Sequence, residues 1–322
     1  MAAPVTPSLA YRNSIRREPA GTHATLGELR RLEYAARGIS LLPRQPIHSL
    51  LSGRHGTRLR GRGLTFEEIR PYRAGDDIRS MDWKATARLR EPHVRVFSEE
   101  RDRPTMLLVD QRSLMYFGSQ RATKSVTAAT VAAIAAWASL AAGDRVGAVI
   151  IGDEECVEIK PHRSRGNVMR ILGDIARLNA LLPGPRSLRA QDRFHHAFER
   201  VLHHQPHDGL IIAVVGFYGL DPRTAQLATR ISTHNDVLCM LTYDPLEAVL
   251  PARDGMVASD GVEDISIPSS SEFSRRYQRA TEQRLTNIRR LLRRLRVPVI
   301  PVCTADPVLD QLEELLGLRR HA

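Results

Sequence analysis

The sequence predicts an α/β fold: a mostly parallel β-sheet with helices on both faces, preceded by a charged N-terminal extension that carries short strands. Three observations predict it. Short apolar runs recur along the chain, the clearest being Leu-Ile-Ile-Ala-Val-Val at 210–215, and a strand without polar alternation is buried on both faces. Segments of helical length separate these runs, the order of repeated βαβ units. With 322 residues, 42% of them hydrophobic, the chain can bury a full core and is not disordered throughout.

Taken in order, residues 1–57 form a basic arm with weak periodicity, expected to be partly flexible. It holds one helix, Leu26–Arg37, opened by Thr25, and is then broken by Pro43, Pro46 and the Gly53/Gly56 pair. Residues 58–103 are a dense charged segment expected to pack on the core. Leu64 and Phe66, then Val94 and Val96, alternate as strands do, and Ala74-Gly75-Asp76 reads as a turn. Residues 104–322 form the α/β domain. Its strands are expected at 105–109, 146–151, 156–159, 210–215, 237–241 and 297–302. Helices are expected at 125–143, 167–182, 192–203, 222–232, 272–295 and 307–316, with a hairpin at 255–267.

The uncharged helix 125–143 is about long enough to span a bilayer. It is mostly Ala, Ser and Thr and is bracketed by Lys124 and Asp144, so it is read as a helix buried between two strands, with no membrane span. No signal peptide is legible. The three cysteines, Cys156, Cys239 and Cys303, are scattered, which argues against a disulfide framework or a thiolate zinc site. The chain is therefore expected to be cytoplasmic, reaching a membrane only through partners.

The net charge of +11 is unevenly placed. Residues 1–63 hold eleven arginines, no lysine and three glutamates, and residues 272–296 hold nine arginines and two glutamates. Such blocks suggest an acidic partner or, more blandly, a solvated helix face. Nucleic-acid or anionic-surface binding through the arm and the basic helix is the alternative function, but no recognition motif supports it.

Enzyme motifs are missing: there is no phosphate-binding loop, nucleophile elbow or dinucleotide fingerprint. Asp76, Asp77 and Asp82 are interleaved with Arg70, Arg73, Arg79, Lys84 and Arg88. Cations at that spacing keep carboxylates ionised, so an ion-pair lattice is expected in preference to acid–base chemistry. Tyr72 and Trp83 are expected to anchor this segment to the core or to serve as an interface hot spot. The cluster His195, His196, His203, His204 and His207 lacks the i, i+4 pair of a zinc helix, because His196, Glu199 and His203 stand at i, i+3 and i+7. Surface histidines are expected there.

The block Gly61–Arg88, taken with V-D-Q-R-S-L-M-Y-F-G-S from Val109 and A-G-D-R-V-G-A-V from Ala142, resembles the bacterial family named domain of unknown function 58. The resemblance implies a von Willebrand factor A-like, Rossmann-type fold. It also implies a place to seek a metal, since such strands end in D-x-S-x-S and a small hard cation needs oxygen ligands. On this chain Asp110 is present, but Arg112 and Leu114 stand at the serine positions and Gly216 where a later strand brings an aspartate. The expectation is a degenerate site without Mg²⁺ or other cofactor, in which Arg112 is the counter-charge of Asp110. The resemblance further implies a partner, a MoxR-type AAA+ ATPase and other von Willebrand A-domain proteins, with Arg70, Tyr72, Asp76, Asp77, Arg79, Asp82, Trp83 and Arg88 as the partner-binding residues. The expected function is a non-enzymatic interaction or scaffold module in the assembly or activation of other proteins.

Overall fold

The structure is a computed structural model that describes residues 18–39, 64–73, 80–99, 104–182, 190–219, 221–251, 253–259, 264–294 and 297–316. The chain divides into two compact units, one of residues 1–54 with 103–322 and one of residues 55–102.

In the larger unit, β3 (Pro104–Asp110), β4 (Arg145–Ile151), β5 (Cys156–His162), β6 (Leu210–Val215), β7 (Asp236–Tyr243) and β10 (Val299–Cys303) form one sheet. Its spatial order is β10-β7-β6-β3-β4-β5. All neighbours are parallel except β4 and β5. Counted from β3, this is the doubly wound order 3-2-1-4-5-6, which reverses between β3 and β6. The central strands are apolar because alternate residues serve two cores. Leu107, Val109, Ile212 and Val214 face one, and Met106, Leu108, Ile211 and Ala213 the other.

The first core is closed by α1 (Leu26–Ala35), α3 (Lys124–Ala141), α4 (Arg165–Ala180) and α9 (Val308–Leu315). The second is closed by α5 (Ala190–His204), α6 (Pro222–His234) and α8 (Ser271–Arg294). α3 is long and apolar enough to cross a membrane by length and composition. Every residue from Lys124 to Ser139 is buried within the unit, as the small side chains require for a helix laid flat on a sheet. A short α7 (Pro245–Ala248) follows β7, and β8 (Val257–Ser259) pairs with β9 (Asp264–Ser266) as an exposed ribbon.

Part of the expected arm belongs to this unit. Thr25 and Glu28 form a reciprocal capping box that opens α1, and Leu29 and Leu32 are fully buried. Two such side chains contribute roughly 3–6 kcal/mol, which pins the segment to α3 and α4. Upstream, the Glu18 carboxylate accepts from Val308 N at 2.7 Å and Leu309 N at 2.6 Å, capping α9, whose own N-cap Pro307 has no side chain able to do so. Residues 1–17 and 40–57 of the arm lie outside the described residues.

In the smaller unit, β1 (Leu64–Pro71) pairs antiparallel with β2 (His93–Glu99) across a bulge between Phe66 and Glu68. Between them lies α2 (Trp83–Leu89), which hydrophobic periodicity gave no reason to expect.

Candidate functional site

In doubly wound sheets ligands meet the crevice beyond the carboxyl ends of the strands, where the winding reverses. Here that crevice lies between the ends of β3 and β6. Asp110 is the last residue of β3 and is 1% exposed, and Arg112, two residues on, is fully buried. The guanidinium donates Nε to Oδ1 at 2.8 Å and Nη2 to Oδ2 at 2.7 Å, while the Arg112 backbone N–H reaches Oδ1 at 3.1 Å. Its face lies over the Phe194 ring at 4.2 Å, and Nη2 also donates to Tyr218 O at 3.4 Å. Burial works against the charge on Arg112, but the attraction of Asp110 more than offsets it and holds the guanidinium pKa above its usual value. Gly219, at φ +99°, lets the β6–α6 loop close over the pair. A Cβ there would meet Arg112 Nη2 and Phe194 Cδ1 at 3.2 Å.

On the other side of the crevice, Gly216 faces Met115, whose Sδ would lie 2.8 Å from any added Cβ, with Lys124 Nζ at 3.9 Å. Lys124 is buried and paired with Glu247, and its ammonium sits 5.1 Å from the Tyr218 ring centroid. Glu247 also accepts from Asp244 N in the capping box that opens α7. Asp244 in turn accepts from Ser119 N at 2.8 Å, Ser119 Oγ at 2.7 Å and Thr304 Oγ1 at 2.6 Å. Although burial pushes its pKa up, these donors together hold the Asp244 carboxyl below its usual value.

This donor set does not fit a hard divalent cation. Both Asp110 oxygens are taken by Arg112, Leu114 has no donor atom, and Met115 offers a thioether against Gly216. Ser113, out of register with the motif, donates both its backbone N–H and its hydroxyl to Asp153. Burial pushes the Asp153 carboxyl up against those two hydrogen bonds. Two buried cations, Arg112 and Lys124, flank the space and oppose a third positive charge. The loop at 183–189, which contains no threonine, lies outside the described residues.

The histidines separate. His195, read from sequence as a surface residue, is buried on α5 and lies 2.9 Å from both Asp221 oxygens. Its Nδ1 is buried without a hydrogen-bond partner. Asp221 also caps α6 through Thr224 N. Burial pushes the Asp221 carboxyl up, but the Thr224 amide and His195 outweigh it and hold the carboxyl far below its usual range. His204 pairs with Glu158 at 2.7 Å and His207 with Asp208 at 2.8 Å. Among the described residues no group of three His, Cys, Asp or Glu is placed to hold a metal. Among the aromatic residues beyond the ends of β3 and β6, Phe117 is exposed, Tyr116 and Tyr218 are half-buried, and Phe217 is buried.

In the signature unit, Asp76, Asp77 and Arg79 lie outside the described residues. Asp82 is buried and serves as the N-cap of α2, accepting from Lys84 N at 3.0 Å and Ala85 N at 2.9 Å. Its carboxylate opens the helix on which Trp83 and Arg88 stand. Trp83 is 68% exposed, which corrects the expectation of a core anchor. It stands at the first helical position, and the helix turns the flanks of Ala85 and Thr86 inward instead. Tyr72 is half-buried with its N–H on Pro92 O, Arg70 is half-buried, and Arg88 is exposed. On the basic helix α8, Arg275, Arg276, Arg279, Arg284 and Arg290 are exposed.

A family model described as "Protein of unknown function DUF58" matches residues 68–286. The chain is 26% identical over 294 residues to the uncharacterized protein Rv1480 of Mycobacterium tuberculosis and, equally, to Mb1516 of Mycobacterium bovis, with 90% of each chain covered. Among solved structures it is similar to BatB from Bacteroides thetaiotaomicron, at 9% identity and a TM-score of 0.40, over 67% of this chain and 98% of that one. It is also similar to the VWA domain of SpRpn10, at 13% identity and a TM-score of 0.36, over 69% and 100% of the two chains.

Proposed function

The chain belongs to the family of unknown function DUF58, and from that premise we propose that it is a non-enzymatic protein-interaction module that works without a metal ion alongside a MoxR-type AAA+ ATPase. The observation that carries the reading is the Asp110–Arg112 pair. It stands where a von Willebrand A domain would hold its cation, in the crevice where doubly wound sheets meet ligands. A fixed guanidinium supplies the positive charge that the strand-end carboxylate needs, and the loops are locked by hydrogen bonds within the chain. The thiols of Cys156 and Cys239 are pushed up by burial to about 11 and about 12, which suits packing and not attack. The partner surface in this reading is the signature unit, with its exposed Trp83 and Arg88.

Isothermal titration with Mg²⁺ and with Mn²⁺, each with and without a purified MoxR-type ATPase, tests both halves. The expected result is no metal binding and saturable ATPase binding that chelator leaves unchanged. Micromolar metal affinity abolished by Asp110→Asn overturns the first half, and an ATPase that does not bind overturns the second.

The exposed arginines of α8 favour a second reading, binding to an anionic surface. It predicts affinity for a nucleic-acid duplex that falls steeply between 50 and 200 mM salt, as counterion release requires.

A further inference from the structure

The signature unit carries a helix face that nothing described within the unit uses. None of the seven residues of α2 is fully buried. On one flank Ala85 and Thr86 are half-buried, and Thr86 Oγ1 accepts from His93 N at 3.0 Å, while Leu89 at the end of that flank is exposed. At about 100° per residue, Trp83, Ala87, Lys84 and Arg88 share an arc of about 140° on the other flank. All four are exposed. Both ends of the helix are fixed, by the Asp82 cap and by Arg90 in the left-handed conformation at φ 61°, whose N–H closes on Thr86 O. Among the described residues no carboxylate forms an ion pair with Lys84, Arg88 or Arg90.

We infer that this face docks an acidic protein surface: an apolar socket takes the Trp83 indole, and carboxylates around the socket meet Lys84 and Arg88. The inference rests on the partner reading above and gives that partner its chemistry. Exposed Trp and Arg are the residues most enriched among those that dominate protein interfaces. Ala87, one turn from the indole, leaves room for the partner's backbone to approach. The fixed helix ends mean that little backbone order is lost on binding. Two cations supply the charge term, and their sign selects an acidic rim. A nucleic-acid backbone is the poorer match, because so few cations neutralise too few phosphates to hold a duplex at physiological salt.

The test uses the full chain and a purified MoxR-type ATPase as the probe, read by calorimetry. Trp83→Ala is expected to weaken binding by about 30-fold or more, the loss of one dominant anchor. The double variant Lys84→Glu/Arg88→Glu is expected to weaken it strongly at 50 mM salt and much less at 500 mM, where screening removes the charge term. Tyr34→Ala, at another exposed aromatic, on α1, is expected to bind as the parent does. Thermal melts of each variant check that the fold survives. If the parent binds and Trp83→Ala binds equally well, this docking face is wrong while the partner reading stands. If the parent does not bind, the partner reading fails and the docking face with it. Binding of a DNA duplex that depends on Trp83, with no binding of the ATPase, also overturns the inference.

Discussion

Replacing Arg112 by Met removes the guanidinium and keeps most of the volume of the side chain. Asp110, 1% exposed, then loses its Nε and Nη2 hydrogen bonds and the neutralising charge of Arg112, keeping the backbone N–H of residue 112. Breaking a buried pair from one side costs about 3–5 kcal/mol, because the other charge stays buried and unpaired. For a domain of this size each kcal/mol moves the melting midpoint by about 2–4 °C, so the fall should be roughly 6–20 °C. The double variant Asp110→Asn/Arg112→Met removes both charges and should recover most of the loss, since a neutral pair of similar volume is often as stable as the ionic one. Thermal unfolding of the parent, the two single variants and the double completes a cycle that isolates the coupling. A midpoint for Arg112→Met within about 2 °C of the parent, or a double variant as unstable as the two single losses added together, would refute the counter-charge argument.

Three further outcomes follow from the same loops. Restoring hydroxyls with Arg112→Ser/Leu114→Ser should not create magnesium binding in calorimetry, since Lys124 and Met115 still occupy the crevice beside Gly216. Gly118→Ala should destabilise by well over 1 kcal/mol in urea unfolding, because its Cβ would fall 2.1 Å from Ala122 O, a backbone atom just ahead of the N-cap of α3 and bridged to Gly21. The Asp221 carboxyl is depressed in the folded chain, so the stability it contributes is present above the ordinary aspartate value of about 3.9 and is lost as pH falls below it. Asp221→Asn should therefore lower the melting midpoint at pH 6 by more than at pH 3, and a difference that grows toward pH 3 reverses the sign.

Most of the larger unit was legible because its central strands are apolar runs and its longer helices show a period. Sheet order was less so. The run at 156–159 reads as another strand, but nothing local shows that it returns antiparallel at the edge beyond β4. α2 escaped because a helix with no fully buried residue leaves no apolar stripe in W-K-A-T-A-R-L, and its only sequence signal is Asp82 before a run of good helix formers. α7 is four residues behind an Asp-Pro-x-Glu box, too short for any period. At the site, the Asp110–Arg112 pair was readable because the partners are two residues apart on one strand end. The Lys124–Glu247 pair was not, since its partners lie 123 positions apart and only the sheet order brings them together. The burial of His195 against Asp221 depends likewise on α5 and α6 lying side by side.

Where an ion closes a strand-end site, the loops around it answer to that ion's arrival and to any ligand that completes its shell. Here the same position is closed from within. Arg112 ties the β3 tip to itself and to the β6–α6 loop through Tyr218 O, and Ser113 ties it to the β4–β5 turn through Asp153. Ser119 and Lys124 tie it to the start of α7 through Asp244 and Glu247. A conformational change at this edge must break several buried charge contacts at once, each costing more than a surface contact returns. The crevice thus favours one arrangement of its loops, and the partner proposed above would gain more by docking on exposed elements than by prising these apart. The face of α2, helical and fixed at both ends with an uncovered indole, is such an element.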